Sequence, residues 1–167
     1  VSAGTIHLVS SDDGINVAGG NDNSALGGRP GQNSFAAGNY SLLYVSTNYT
    51  CVEWLELDGN DLVNVGGIYV DSNADYSLYR NLIIHNLDGD TLSANGFMVA
   101  SGANNVQIRN TMVYYYDADG VYTSGSSLTV ANSTFYYGRT TPSSNSIHVS
   151  GGSTTAYNVL ASGQEPD

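Results

Sequence analysis

The chain contains no lysine. Its four arginines stand against 15 acids, for a formal charge of −11 over 167 residues. Binding a phosphate backbone needs a cationic surface, so nucleic acid is excluded as a partner, and so is an anionic membrane face. Cysteine is nearly missing too. Cys51 stands alone, so no internal disulfide can form, and its plainest role is that of a small buried apolar side chain. Long apolar runs are absent. None approaches the roughly 18 residues of a membrane span, and no bilayer insertion is expected. Glutamate is scarce among the acids, which argues against helices. No leader is visible at Val1, so a secreted form would already be processed.

What is abundant is aspartate, glycine (20), tyrosine (13), serine, threonine and asparagine. Aspartate, asparagine and glycine suit turns, and tyrosine and threonine suit strands. The mix is that of a secreted, extracellular or cell-surface all-β protein. The length suffices for one domain with a real core, here residues 1–167. A Gly-rich excursion over about residues 18–39, "GGNDNSALGGRPGQNSFAAGN" with its flanks, breaks the pattern and reads as a long loop.

Outside that loop the chain repeats itself. "GINVAGG" from Gly14, "GIYVDSN" from Gly67, "GFMVASG" from Gly96, "GVYTSGS" from Gly120 and "SIHVSGG" from Ser146 share one pattern. Each is Gly or Ser, an apolar residue, a variable one, then Val or Thr. Alternation at period two marks a short strand with one buried face. Ile15, Ile68, Phe97, Val121 and Ile147 should point inward, with Val17, Val70, Val99, Thr123 and Val149 as a second inward column. A further strand recurs in "LYRNLII", "VQIRNTMV", "LTVANSTF" and "TTAYNVLA", aligned on Asn81, Asn110, Asn132 and Asn158. Repeats of 20 to 50 residues without helices indicate a parallel β-solenoid, here of about six coils. Equivalent residues of successive coils then stack about 4.8 Å apart. The four asparagines should form an inward amide ladder.

The segment "GTIHLVSSDDGINVAGGNDNS", the Gly-rich "GGRPGQNSF" and the strand "NYSLLYV" resemble calcium-binding, pectate-lyase-like β-helix carbohydrate-binding proteins. The resemblance covers roughly residues 3 to 46 and returns at "DADGVYTSGSSLTVANSTFYY". There Tyr122 stands in place of the family's second Asp and Ser124 in place of its Asn. The resemblance implies a right-handed parallel β-helix, calcium, and binding of polysaccharides such as pectate or cellulose without catalysis.

Acidic turns are the candidate metal sites. Stacking would bring Asp12 and Asp13 toward Asn21 and Asp22, and would bring Asp117 and Asp119 to neighbouring coils. Calcium takes six to eight oxygens, and close carboxylates repel unless a cation lies between them. Candidate carbohydrate contacts lie on the outward column Asn16, Tyr69, Met98, Tyr122 and His148, of which Tyr69, Tyr122 and His148 offer rings. Arg80 and Arg109 also stack, and the pair could hold either a neighbouring acid or a uronate. Trp54 in "VEWLEL" reads as core or as an end cover rather than as a sugar platform. Sequons mark Asn39 and Asn48 as glycosylation candidates. No acid–base pair with fixed roles emerges, and His7, His85 and His148 lack a metal-ligand spacing. The reading is a calcium-stabilised, non-catalytic extracellular carbohydrate module. One alternative is a head-to-tail subunit of a filament, a homopolymer joined through the solenoid ends. A polysaccharide lyase or hydrolase comes third.

Overall fold

The computed structural model describes residues 6–8, 16–18, 40–63, 65–88, 94–138 and 144–162. Every regular element among them is a strand, and every strand pairing is parallel. The strands stack in three columns. The first holds β1 (Ile6–Leu8), β3 (Tyr40–Val45), β6 (Val65–Val70), β9 (Phe97–Val99) and the leading parts of β12 (Val121–Ala131) and β14 (Ile147–Tyr157). The second holds β2 (Asn16–Ala18), β4 (Cys51–Glu53), β7 (Leu78–Arg80), β10 (Val106–Arg109) and the trailing parts of β12 and β14. The third holds β5 (Glu56–Val63), β8 (Ile83–Asp88), β11 (Met112–Tyr116), β13 (Thr134–Gly138) and β15 (Leu160–Ala161).

The chain is thus an all-β solenoid of parallel sheets, of about four turns rather than six. From β3 to β14 the first column is revisited four times. The higher expectation treated "GINVAGG" as a coil of its own in register with "GIYVDSN". The pairing differs: Ile6–Leu8 lies against β3, and Asn16 lies beside Cys51 in the second column. The same alternation occurs in every column, so it marks a strand without saying which face the strand belongs to.

The core is built as the repeats require. Ile68, Phe97 and Val121 stack in register, and all are buried, as are Val70, Val99 and Thr123 above one another. Val52, Tyr79, Ile108 and Val130 fill the second column, and Leu57, Ile84, Val113 and Phe135 the third. Burial fades in β14, where Val149 and Tyr157 are exposed, because β12 is its one strand partner among the described residues. The corners between the first two columns carry buried hydroxyls, with Thr47 bonded to Thr50 and Thr123 to Ser126.

The asparagine column exists, but it faces outward. Asn110, Asn132 and Asn158 are exposed and Asn81 is half-buried. All four have left-handed backbones, with φ of 55°, 49°, 52° and 51° in chain order. This is the corner between the second and third columns. A left-handed residue turns the chain sharply there and leaves its side chain on the convex side, where asparagine is tolerated best among L-residues. Asn110 Nδ2 donates to Asn81 Oδ1 at 3.4 Å, and Asn158 Nδ2 to Asn132 Oδ1 at 2.7 Å. Asn110→Val should therefore destabilise by about 1–2 kcal/mol, since a β-branched residue resists this backbone, while Asn110→Gly should change stability far less. Urea unfolding of the two variants checks this.

Candidate functional site

Two surfaces present themselves. The first is the outer face of the first column, where the register stacks Tyr44, Tyr69, Met98, Tyr122 and His148. Tyr69, Tyr122 and His148 therefore share one row. Asn16 does not belong to it, and Tyr44, which the repeat alignment overlooked, does. Tyr44 and Tyr69 are stacked with centroids 5.4 Å apart, while Tyr122 and His148 meet edge to face at 5.0 Å. The Tyr44 hydroxyl donates to Asp71 at 2.8 Å. Burial and then that carboxylate push its pKa up to about 12.

The acid beside this row is already engaged. Asp119 sits 2 % exposed in the turn entering β12. One of its oxygens accepts the backbone and side-chain N–H groups of Asn145, at 2.8 and 2.9 Å. The other faces His148 Nδ1 at 2.9 Å. Its own N–H donates to Asn95 one coil earlier. Asn95, Asp119 and Asn145 thus form a second polar ladder, in which carboxylate and amide play the same part. A calcium ion at this turn would compete with those bonds for the same oxygens. Among the described residues no three His, Cys, Asp or Glu side chains are grouped to hold a metal. Asp12, Asp13, Asn21 and Asp22 lie outside the described residues.

Arg80 and Arg109 are in register, as the spacing predicts. Arg80 is held by Glu53 of the preceding coil, Nε to Oε2 at 2.6 Å, and the bond raises the guanidinium pKa. The Arg80 Nε is therefore committed to a bond within the protein.

The second surface was not foreseen. A groove of about 730 Å³ runs along the left-handed corner across four coils. Trp54, Asn81, Asn110 and Asn132 line it at successive coils, and Ile83 and Met112 form its apolar wall. Trp54 is not core: it is 61 % exposed. With φ of 60° it occupies the position that asparagine holds in every later coil. A bulky aromatic residue in that backbone region costs of order 1–3 kcal/mol, and such outliers gather at functional sites. The clue in the sequence was the alignment of "VEWLEL" with "YRNLII", which puts Trp54 in register with Asn81. Its hydrophobicity argued for the core instead.

Glu56 closes the groove on its third-column side. His85, 7 % exposed, holds it through Nε2 at 3.0 Å, and its Nδ1 lies 3.6 Å from Asp58. Asn86 also donates to Asp58, at 3.0 Å. The His85 ring stacks on Tyr114 at 4.8 Å, and Tyr114 stacks on Tyr136 at 5.1 Å. Glu56 is thus a fixed acceptor.

Of the sequons, Asn39 lies outside the described residues. Asn48 sits in a corner ladder, its Oδ1 accepting the Asp75 N–H at 2.9 Å, and the sequon's Thr50 is buried. No family model, no curated protein and no solved structure matches the chain.

Proposed function

We propose that the protein is an extracellular, non-catalytic carbohydrate-associated module built on a right-handed parallel β-helix. Right-handed crossovers are the rule for parallel strands. The observation that carries the reading is the axial groove, in which an exposed tryptophan replaces the corner asparagine. Rings that stack on a sugar face, beside amides that bond hydroxyls, are the elements such a site needs. The row Tyr69, Tyr122 and His148 offers a further contact surface. Calcium belongs to the same proposal at the N-terminal acids Asp12, Asp13, Asn21 and Asp22, on the resemblance of that segment.

A second reading, the filament subunit, is favoured by β14, a long strand with exposed Val149 and Tyr157 whose one strand partner among the described residues is β12. One experiment addresses both. The protein is sedimented alone, with insoluble cellulose and with calcium pectate, each with and without EDTA. Pelleting with a polysaccharide is the expected result, and EDTA should lower the melting temperature. Pelleting without polysaccharide supports the filament. A protein that stays in the supernatant in every tube defeats both readings, and a melt unmoved by EDTA defeats the calcium claim.

A further inference from the structure

We infer that the corner groove takes a neutral, extended polysaccharide laid parallel to the solenoid axis, about one sugar ring per coil. This rests on the carbohydrate reading above and narrows it to a chemical class.

The geometry sets the ligand's shape. Trp54, Asn81, Asn110 and Asn132 are equivalent positions of successive coils, so the groove is straight and its features recur every 4.8 Å or so. A hexopyranose in an equatorially linked chain advances by a similar length. A coiled glucan does not keep step with such a row. The apolar wall of Ile83 and Met112 suits the flat face of a ribbon-like chain.

The polar groups set its charge. Among the described residues the amide ladder is interrupted between Asn110 and Asn132, where no bond joins the two side chains. Asn110 Oδ1 and the Nδ2 groups of Asn81 and Asn132 are therefore left for a ligand. These are neutral donors and acceptors, matched to hydroxyls. Among the described residues the one ionisable side chain lining the groove is Glu56, an acceptor steadied by His85. Neither Arg80 nor Arg109 lines the groove, and Arg80 is engaged by Glu53. A polyuronate would bring one negative charge per ring to Glu56 and to a chain of net charge −11. The groove therefore selects against pectate and for a neutral chain.

Trp54 is the chain's one tryptophan, so its fluorescence reports on this groove directly. The test titrates the protein with cellohexaose and with hexagalacturonate, and repeats both with Trp54→Asn. That variant installs the residue the other coils carry, so its melting temperature should hold or rise. Cellohexaose should shift the Trp54 emission, and affinity should climb with oligosaccharide length to about four rings, one per coil. By calorimetry, Trp54→Asn should weaken binding about 30-fold, as loss of an interface tryptophan does. Emission that responds to hexagalacturonate alone overturns the inference and leaves the carbohydrate reading standing. So does a sedimentation assay in which a polysaccharide still captures Trp54→Asn undiminished. If no polysaccharide is captured by the native protein, the carbohydrate reading itself fails.

Discussion

Gly96→Ala should destabilise the protein by about 3 kcal/mol, the upper end of the range for overpacked cores. Gly67, Gly96 and Gly120 stand one above another where the chain enters the first column, each next to the strand residue Ile68, Phe97 or Val121. A Cβ on Gly96 would sit 2.5 Å from the Gly120 carbonyl oxygen and closer still to Val113 Cγ1. The carbonyl belongs to the backbone of the next coil and has nowhere to move. It accepts the Phe97 N–H at 3.0 Å, and Gly96 N–H bonds to Asp119 at 2.9 Å, so making room means parting two coils. The cost is steric, since Gly96 is not in the left-handed region. Gly151→Ala is the control. Its nearest atom would be 3.6 Å away, an ordinary contact, and the expected change is under about 0.5 kcal/mol. Urea unfolding measures both. For a chain of this size, 3 kcal/mol lowers the melting temperature by about 10 °C. A Gly96→Ala protein that unfolds like the parent would mean that the coils are not held this closely.

These glycines also show what the sequence discloses and what it conceals. The pattern Gly–apolar–x–Val located the strands of the first column correctly at Gly67, Gly96 and Gly120, because a coil's backbone contacts recur with every turn. The same pattern misled at Gly14, since a period of two is common to all three columns and carries no label for the face. The asparagines were found as a column, and their direction was reversed. Periodicity locates a corner, but the sign of φ decides whether the corner residue points in or out, and Asn is legible there only as a residue tolerant of both. Trp54 was concealed by its own chemistry, for an apolar residue beside a strand is ordinarily buried. Only its register with Asn81 told otherwise. Asp119 illustrates a further limit. An acid in a turn suggests a cation, and the turn pattern does not disclose that Asn145 and His148 also reach Asp119.

The second large effect concerns alkali. Tyrosine is the chain's dominant ring, and the solenoid buries several of them. Burial, and then Asp71, push Tyr44 up to about 12. Burial also raises Tyr69, Tyr114 and Tyr116. Tyr79 rises most, being fully enclosed and packed edge to face on Phe97 at 5.7 Å. In the unfolded chain each of these phenols titrates near 10. The folded state therefore keeps protons that the unfolded state has released. Their contribution to stability is complete below pH 10 and falls as pH rises toward 12 and beyond. Near-ultraviolet dichroism should stay flat to about pH 10 and then collapse cooperatively by about pH 12, in step with a late rise in tyrosinate absorbance. Tyr79→Phe separates burial from bonding. Among the described residues the Tyr79 hydroxyl has no hydrogen-bond partner, since the nearby Ser77 hydroxyl donates to Ala74 instead. Its removal should leave neutral-pH stability unchanged or raised by about 1 kcal/mol, because an unmet buried hydroxyl is a liability. The alkaline midpoint should move to higher pH, because the phenol most resistant to ionisation is gone. If all 13 tyrosines instead titrate freely near pH 10 while the fold persists, the rings are not packed between the coils as described.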